Sequence, residues 1–492
     1  MMLVTSGIDL WSQREPDRPA IVCGEQVVTY GQLAARTDGI ANGLAARLGP
    51  DDPRPVGLLV QDPGDFLTAF LAIVKTGRAA MPLSPQWRPA EFARALATCP
   101  AALVIGEAPH AAGAAPSCVA LQELEASNTA RPGAVIQPDM PFYIGFTSGS
   151  TGAPRALVRD HQSWVASFDG MTEEFGIGSG EPVLVPGSPF FSFSLIAALH
   201  ALYIGATVVL PSAAGVPGVL AMLRERPGNM YALPSLLERT LHLAASRGQT
   251  FPRLQRIICA GERLAPEVKC QVPQVFPDAG LYEYYGASEF GFATLLRPDE
   301  HEARPDSVGR PFSGCEIAVL DLDHDGKRLT QGKIGVLHVK NAYGPVSAYG
   351  ESEEPLPPAG QWRTAGDLAR QDADGYVYLV GRRDNMVVIK GENVYPEEAE
   401  AVLTSAPGVV RAVAVPWPEE QPTHLVALVE TNGGGVGTET LTHYCREHLS
   451  QRKSPQRVVL VDRLPTTATG KVDRVAARAL LAETHQSGNR AR

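Results

Sequence analysis

The sequence predicts an α/β fold: a large N-terminal domain of two doubly wound sheets plus a small antiparallel barrel, followed by a small α+β C-terminal domain. Three observations support this prediction. Short, continuously apolar strand segments alternate with helical segments up to about residue 310, which is typical of parallel sheets covered on both faces. Strand segments separated by turn-rich stretches follow, as expected of an antiparallel meander. After Asp384 the pattern changes again.

The two doubly wound units are predicted on either side of a Gly/Ala/Pro-rich stretch at residues 106–116. In the first unit VGLLVQ, RAAMPLS and AALVIG are strand segments, and PGDFLTAFLAIVKTG and PAEFARALATC are the helical segments between them. In the second unit the strand segments are PVLVPG, ATVVLP, NMYALP, RIICAG and LYEYYG. Helical segments such as SLLERTLHLAASRG separate them.

The meander and the last domain complete the chain. CEIAVLD, KIGVLHVK and GYVYLVG are predicted strands of the meander or small barrel. In the last domain Pro396 begins a helix, VVRAVAVP, HLVALVE and RVVLVD are strands, and residues 438–450 are helical. The predicted domains are therefore residues 1–383 and residues 384–492.

Composition restricts the classes of partner. The chain has 492 residues, 44% hydrophobic and 20% charged, so it can bury a sizeable core. A net charge of −10 argues against nucleic acid or an anionic membrane as the main partner. Seven cysteines without a CxxC pair favour neither a disulfide framework nor a zinc knuckle, and the cytoplasm is the expected compartment. The first residues lack the apolar stretch of a signal peptide.

Residues 191–210 have membrane-spanning length and contain no Asp, Glu, Lys or Arg. Serines, His200 and the break at Gly205 predict instead a buried helix followed by a buried strand.

The strongest local signal is FTSGSTGAPRA at residues 146–156. Thr, Ser, Gly and Pro dominate this segment, so its backbone N–H groups and hydroxyls can face an anion. A flexible linker is the alternative for a bare Gly/Ser segment. The strand-like YIGF before the loop and the charge of Arg155 favour an anion-binding loop. It is not a Walker A loop, because no GxxxxGK[ST] pattern occurs.

This loop resembles the phosphate-binding motif of the adenylate-forming superfamily, which contains acyl- and aryl-CoA ligases, peptide-synthetase adenylation domains and luciferases. Four further motifs follow in the family's order. YYGASE (284–289) resembles the adenine motif, and WRTAGDLA (362–369) resembles the ribose motif. GRRDNMVVIKGENVYPEEAE (381–400) resembles the hinge and thiol-tunnel motif, and PTTATGKVDR (465–474) resembles the catalytic-lysine motif. The chain is identified as a member on all five motifs together.

The resemblance implies the sites for ATP and Mg²⁺. The implied nucleotide-binding residues are Thr147, Ser148, Gly149, Ser150, Thr151, Gly152, Glu262, Tyr285, Gly286, Ala287, Ser288, Asp367 and Arg382. The implied catalytic residues are Lys471, Glu289 and Arg155, and Glu289 is also the implied magnesium ligand. From charge alone Lys471 would be one exposed lysine in a basic tail, and the motif reverses that interpretation. Asp384 is the implied hinge, and Gly391 is the implied wall of a pantetheine tunnel.

Four positions depart from the family pattern. Arg155-Ala156 stands where the family usually has Lys-Gly, and Ala287 stands where it often has Thr. Ser192 stands where many acyl-CoA ligases have His.

The resemblance also implies an acid pocket, which comprises Phe190, Phe191, Ser192, Phe193, Tyr231, Ala260 and Gly261. The aromatic cluster in this set could equally be ordinary core. The segment 187–200 contains no Asp or Glu. Because a buried ammonium needs a carboxylate partner, we expect a substrate without an α-ammonium, an aryl or arylalkenyl acid ahead of a medium aliphatic acid.

The predicted function is ATP- and Mg²⁺-dependent activation of a small aromatic or apolar carboxylic acid, followed by transfer to a thiol. CoA is the first expected acceptor, and a carrier-protein phosphopantetheine is the second. Transfer to an amine, or activation of an oxyanion such as nitrite, is a third alternative. A non-catalytic nucleotide-binding protein is the rival from another class: Ala156 and Ala287 support it, and the motif residues Lys471, Glu289, Asp367 and Asp384 oppose it. The oligomeric state and the pathway are left open.

Overall fold

The structure is a computed structural model, and it describes residues 2–49, 52–106, 117–126, 128–148, 154–322, 326–349, 356–389, 392–418, 422–433, 435–467 and 472–489. These described residues form two compact units. The first comprises Met1–Ile317 and Val339–Arg363, and the second comprises Ala318–His338 and Thr364–Arg492. The domain boundary predicted at residue 384 lies within the second unit. That boundary is placed at a predicted hinge, and it stays a prediction.

The α-helices have the following bounds: α1 Ser6–Arg14, α2 Tyr30–Arg47, α3 Pro63–Lys75, α4 Pro89–Thr98, α5 His161–Phe175, α6 Ser192–Ile204, α7 Gly215–Glu225, α8 Pro234–Ser246, α9 Pro266–Val275, α10 Pro396–Thr404, α11 Thr438–His448 and α12 Arg474–Asn489. Short 3₁₀ segments lie at Leu121–Leu124 and Arg383–Asn385.

The strands have the following bounds: β1 Pro19–Cys23, β2 Gln26–Thr29, β3 Val56–Leu59, β4 Ala80–Pro82, β5 Leu103–Gly106, β6 Cys118–Val119, β7 Pro141–Ser148, β8 Pro154–Asp160, β9 Pro182–Leu184, β10 Thr207–Leu210, β11 Asn229–Ala232, β12 Arg256–Cys259, β13 Gly280–Ala287, β14 Gly291–Leu296, β15 Arg310–Pro311, β16 Glu316–Leu320, β17 Gly335–Lys340, β18 Ser347–Tyr349, β19 Trp362–Arg363, β20 Asp367–Gln371, β21 Val377–Arg382, β22 Val387–Ile389, β23 Glu392–Val394, β24 Val409–Trp417, β25 His424–Thr431 and β26 Arg457–Val461.

Two mixed sheets carry the first unit. Sheet A has, within the described residues, nine strands in the order β15-β14-β13-β12-β11-β9-β10-β1-β2. Its six consecutive strands from β13 to β1 are parallel to one another, and β14 and β2 flank them in the antiparallel direction. Sheet B, over the same described ranges, has seven strands in the order β18-β8-β7-β4-β3-β5-β6, and β8 is antiparallel to both of its neighbours, β7 and β18. The two predicted doubly wound units are confirmed, and ligands bind such sheets at the carboxyl ends of the parallel strands.

Helix α3 shows how local sequence and burial agree. Asp62 caps its first turn, because a carboxylate oxygen accepts the N–H of Asp65 at 2.8 Å, and Pro63 occupies the first helical position. Every residue from Phe66 to Lys75 is buried. The buried Lys75 ammonium has a partner, because its Nζ lies 2.7 Å from a carboxylate oxygen of Asp38.

The apolar segment at 191–210 is a helix followed by a strand, as predicted. Helix α6 ends at Gly205, which has φ +81°. A Cβ there would lie 2.2 Å from the Trp11 ring, so only glycine fits, and β10 follows. Throughout the described residues, no helix combines the length and apolar character needed to cross a membrane.

The antiparallel strands after residue 310 are also present. In the first unit Lys340 of β17 pairs with Trp362 of β19, and in the second unit Val336 of β17 pairs with Leu368 of β20. β20 continues antiparallel to β21. The C-terminal sheet has the order β24-β25-β26, with helices α10 and α12 against β24. This is the predicted α+β arrangement.

Candidate active site

The predicted phosphate loop connects the antiparallel strands β7 and β8 of sheet B. Thr147 pairs with Arg155, which is half-buried, and Ser148 pairs with Pro154. β7 is parallel to β4, so the loop leaves the carboxyl end of a parallel strand, where anions bind in α/β sheets. For Thr147 and Ser148 the structure describes the backbone. The remaining residues of the loop lie outside the described residues: Gly149, Ser150, Thr151 and Gly152.

Tyr285 and Gly286 lie at the end of β13, where the chain turns back into β14. Ala287 pairs with Gly291 across this turn. A Cβ on Gly286 would lie 2.4 Å from the carbonyl oxygen of Gly291, so only glycine fits. The Tyr285 ring is half-buried, and its centroid lies 6.0 Å from that of Phe290. The hairpin therefore presents a partly accessible aromatic ring on a well-defined turn.

Glu289 lies in the same turn, and two arginines donate hydrogen bonds to backbone carbonyls of the turn. Arg159 of β8 donates from Nη2 to the carbonyl oxygen of Ser288 at 2.9 Å. Arg363 of β19 donates from Nη1 to the carbonyl oxygen of Glu289 at 3.3 Å. Because Arg159 belongs to the strand that follows the phosphate loop, its contact joins that strand to the turn that carries Glu289.

Both arginines are buried charges. Burial is the main cause that lowers the pKa of Arg159 to about 10; the charge of Arg363 acts in the same direction, and that of Glu289 acts against it. Burial also lowers the pKa of Arg363. A pKa of about 10 leaves Arg159 charged at neutral pH. The turn is thus held by cations rather than by neutral donors.

Residues 260–262 follow β12 at the same edge as the end of β13, because these strands are parallel. Gly261 has φ +97°, a left-handed conformation that favours glycine. Helix α9, which follows this loop, is joined to β13 by a buried ion pair, since Lys269 Nζ lies 2.6 Å from Glu283 Oε2. The other carboxylate oxygen of Glu283 accepts the N–H of Leu264 at 3.2 Å.

Phe193, in the first turn of α6, packs against two tyrosines of sheet A. Its ring centroid lies 5.9 Å from that of Tyr231 and 6.1 Å from that of Tyr284. The Tyr231 hydroxyl is buried and has no hydrogen-bond partner among the residues that the structure describes. Burial raises the pKa of Tyr231 and of Tyr284, so both hydroxyls stay protonated at neutral pH. Two predicted pocket residues, Phe193 and Tyr231, therefore meet.

The neighbouring phenylalanines of the predicted pocket are placed differently. The Phe190 ring packs on Phe66 of α3, with 4.7 Å between centroids. Phe191 is the residue that precedes α6, and Ser192 is the exposed first residue of that helix. The structure thus brings Phe193 to sheet A and Phe190 to α3.

In the second unit, the predicted ribose residue and the predicted second nucleotide contact are partners. Asp367 of β20 and Arg382 of β21 face each other across the strands, with Nε and Oδ1 3.0 Å apart. Gly366, with φ +78°, places Asp367 at the start of β20, and its N–H donates to Thr364 Oγ1 at 3.0 Å. A carboxylate can accept several hydrogen bonds at once, which suits a diol.

The predicted hinge lies next to a polar network. Asp384 is exposed in the segment Arg383–Asn385, and Asn385 Nδ2 donates to Glu397 Oε1 of α10 at 2.5 Å. Arg474 Nη2 lies 2.7 Å from Glu400 Oε2 on the same helix. Burial raises the pKa of Glu400, and Arg474 acts against that shift. Gly391 lies outside the described residues, and the roles of Asp384 and Gly391 stay predictions.

Lys471 and residues 468–470 also lie outside the described residues, and the structure describes the motif at residues 465–467 and 472–474. Thr466 and Val472 form an antiparallel bridge. The N–H of Asp473 donates to the carbonyl oxygen of Pro465 at 2.8 Å. The predicted lysine motif is therefore closed at its base.

Motif reasoning missed several residues that contact the predicted site. These are Arg159, Arg363, the pair Lys269–Glu283, and Tyr284 as a neighbour of Phe193. A charge inside the apolar strand segment ALVRD is the signal that could have identified Arg159. Arg363 and Tyr284 lie within the ribose and adenine motifs, but those motifs do not identify these contacts, because the partners come from distant parts of the chain. The pair Lys269–Glu283 has no local signal.

The chain belongs to the AMP-binding enzyme family. The AMP-binding enzyme domain matches residues 8–349, and the AMP-binding enzyme C-terminal domain matches residues 398–471. This confirms the adenylate-forming superfamily to which the five motifs point.

Known proteins resemble the chain along nearly all of its length. The uncharacterized acyl–CoA ligase YhfT of Bacillus subtilis (strain 168) is 31% identical over 99% of this chain and 100% of its own. The 3-hydroxybenzoate–CoA ligase of Aromatoleum sp. (strain CIB) is 29% identical over 94% of each chain. O-succinylbenzoate coenzyme A synthetase of Bacillus subtilis, in complex with AMP, has a similar structure, with a TM-score of 0.85, 25% identity, and coverage of 95% of this chain and 96% of that chain.

Proposed function

We propose that this protein is an ATP- and Mg²⁺-dependent acid–thiol ligase that converts a small carboxylic acid into its CoA thioester. The observation that carries the proposal is the contact between Arg159 and Ser288, because it joins the strand after the predicted phosphate loop to the turn with the predicted magnesium ligand, Glu289. Membership of the AMP-binding enzyme family supports it. The similarity to acyl- and aryl-CoA ligases supports the same reaction.

In the first step a carboxylate oxygen of the acid attacks the α-phosphorus of ATP. The bond from that phosphorus to the bridging oxygen breaks, and acyl-AMP and pyrophosphate form. We assign the phosphate loop and Arg155 to the leaving pyrophosphate, Tyr285 to the adenine face, and Lys471 to the charge on the α-phosphate. Positioning and charge neutralisation dominate phosphoryl transfer, which is why the chain supplies backbone donors and cations.

The available donors fit a magnesium ion that arrives with ATP. No cluster of three or more His, Cys, Asp or Glu able to hold a metal occurs among the described residues. Mg²⁺ is usually held by one or two carboxylates together with phosphates and water, so the single carboxylate of Glu289 suffices. When bound, the ion neutralises phosphate charge during the first step.

In the second step a thiol sulfur attacks the acyl carbonyl carbon, and AMP leaves with the electrons of the broken C–O bond. Asp367 and Arg382 would hold the ribose through both steps. CoA is the proposed thiol, since GENVYPEEAE resembles the tunnel motif of CoA ligases and relatives bear that name. Gly391 is the proposed tunnel wall.

The proposed acid is aromatic and lacks an ammonium group. Phe193, Tyr231 and Tyr284 offer an aromatic surface at the carboxyl edge of sheet A. The segment from Gly187 to His200 contains no carboxylate to pair with an ammonium.

A panel of carboxylic acids, assayed with and without CoA for pyrophosphate, AMP and thioester, tests the proposal. Release of pyrophosphate and AMP with formation of an acyl-CoA is the expected result. If acyl-AMP is consumed only when a phosphopantetheinylated carrier protein is present, the carrier protein replaces CoA as the acceptor. No turnover of any acid, with AMP still bound, would overturn the enzymatic function in favour of a non-catalytic nucleotide-binding protein.

A further inference from the structure

Two buried guanidinium groups next to Glu289 have no assigned role in the proposed reaction. Arg159 is 8% exposed and Arg363 is 3% exposed. Their charges repel each other, and each lies in a low-dielectric setting, so the pair costs folding free energy. Buried guanidinium groups are retained when their charged hydrogen bonds hold backbone segments in positions that neutral side chains could not maintain.

Each guanidinium bridges two backbone segments. Besides Ser288, Arg159 donates from Nη1 to the carbonyl oxygen of Tyr343. Besides Glu289, Arg363 donates from Nη2 to the carbonyl oxygen of Pro357. A planar fork with five donors can hold two carbonyls at once, whereas an ammonium on a flexible stem positions them less rigidly.

Gly344 makes this arrangement possible. A Cβ at that position would lie 1.8 Å from Nη1 of Arg363 and 3.2 Å from the carbonyl oxygen of Glu289. The residue after Tyr343 therefore has to be glycine for Arg363 to reach the turn. The space around the turn is shaped for the guanidinium, which argues against an incidental contact.

The turn that the arginines hold also separates the two predicted ligand contacts. Tyr285 lies just before the turn, and Glu289 lies within it. At position 286 the turn has no room for a side chain larger than that of glycine. A turn that moved would change the distance between the adenine contact and the carboxylate for the metal. Hydrogen bonds between a buried cation and the backbone of the turn can keep that distance fixed, and a fixed distance favours nucleotide binding.

We propose that Arg159 is a positioning residue for nucleotide binding, which holds the Ser288–Glu289 turn so that Tyr285 and Glu289 keep a fixed spacing. This inference rests on the proposed function. Arg159 acts by holding the backbone of the turn and does not itself contact the nucleotide.

The test compares Arg159→Leu and Arg159→Lys with the wild-type chain by calorimetric titration of AMP without Mg²⁺. The ATP complex is then titrated with Mg²⁺. We expect the leucine variant to bind AMP about tenfold more weakly, as loss of hydrogen bonds to a charged donor implies. The lysine variant should recover part of this loss, since it keeps the charge but not the fork. Both variants should need more Mg²⁺ for half-saturation.

Arg256→Leu is the matched control. Arg256 is also partly buried and bonded to Glu181 and Asn229, but it lies at the amino end of β12, opposite the predicted site. Its loss should lower the unfolding temperature and leave the AMP dissociation constant unchanged.

The outcomes separate this inference from the proposed function. A wild-type protein that binds no AMP would overturn both. A wild-type protein that binds AMP, with Arg159 variants that bind AMP and Mg²⁺ equally well, would overturn the positioning role alone. If the leucine variant does not fold, the lysine variant decides: an unchanged AMP constant overturns the role, and a weakened one supports it.

Discussion

Arg382 binds Asp367 across neighbouring strands, with 3.0 Å between Nε and Oδ1. The Asp367 side chain is 15% exposed and that of Arg382 is 50% exposed, so the pair lies at an accessible surface of the second unit. The arginine orients the carboxylate, and the carboxylate is the group that we assign to the ribose hydroxyls.

Asp367→Asn should therefore remove recognition of the ribose. We expect AMP to bind about tenfold more weakly, because a charged acceptor is replaced by a neutral amide. Discrimination between AMP and 2′,3′-dideoxy-AMP, measured by competition binding, should fall to nearly none. Asp374→Asn, in the turn between β20 and β21, is the control and should behave as wild type. Full discrimination in Asp367→Asn would contradict the assignment.

Lys471→Ala should nearly abolish formation of acyl-AMP and spare the thiol step. The positive charge matters while pyrophosphate leaves, and supplied acyl-AMP has already passed that step. The two half-reactions can be measured separately, as pyrophosphate release and as thioester formation from synthetic acyl-AMP. Equal losses in both half-reactions would show a structural role for the lysine instead.

Asp384→Pro should have the opposite effect. Proline fixes φ and removes an N–H, so a hinge that has to turn between two states is confined to one. Acyl-AMP formation should persist, and thioester formation should fall. Asp384→Ala is the matched control, because it removes the carboxylate and leaves the backbone free. Wild-type rates of both steps in the proline variant would mean that the chain does not pivot at Asp384.

Most strands could be predicted because each is a local apolar segment bounded by turn residues. β3, β4 and β5 lie within VGLLVQ, RAAMPLS and AALVIG, and α3 and α4 lie within the helical segments between them. The sequence pattern before Val56 does not identify β1 and β2. β1 joins sheet A by pairing Ile21 with Val208, and no local signal predicts a partner so far along the chain.

The candidate site divides in the same way. The motif residues can be located from sequence because a loop, a glycine or an acid has a recognisable neighbourhood. Arg159 binds a carbonyl 129 residues away, and Lys269 is buried because Glu283 neutralises it. A lone Lys or Arg in a sequence is more often a surface residue, so burial of these charges follows from tertiary pairing alone.

His200 should steepen the loss of stability in acid. It is buried, its Nε2 lies 3.0 Å from Thr172 Oγ1, and burial lowers its pKa from 6.5 to about 3. Below pH 6.5 the unfolded chain takes up a proton at His200 that the folded chain does not take up. The stabilising contribution of His200 is therefore complete above pH 6.5 and is lost as the pH falls below that value. Between pH 7.5 and 5 this single group should cost about 2 kcal/mol.

The measurement for His200 is urea unfolding, followed by tryptophan fluorescence, of wild type and His200→Gln at both pH values. The variant should show a shallower dependence on pH, whatever its stability at pH 7.5. His242→Gln, at an exposed position of α8, should keep the wild-type slope. An unchanged slope in His200→Gln would show that this histidine does not titrate as burial implies.

The last prediction concerns the acid that the pocket accepts. Phe193 packs on Tyr231 and Tyr284, whereas Phe190, three positions earlier, packs on Phe66. The two phenylalanines should therefore respond differently to truncation. Phe193→Ala removes part of the proposed aromatic wall, and it should lower kcat/KM for benzoates about tenfold while cinnamates, which are longer, lose less.

Phe190→Ala is the matched control. It removes the same ring from a neighbouring position and should lower the unfolding temperature without changing the order of preference among acids. The panel comprises benzoates, cinnamates, octanoate and the standard amino acids, each assayed by pyrophosphate release. Because an unpaired buried ammonium costs several kcal/mol and the segment from Gly187 to His200 has no carboxylate, free amino acids should not turn over. Turnover of an amino acid with none of the simple acids, or the same change of preference in both variants, would show that the pocket is built elsewhere.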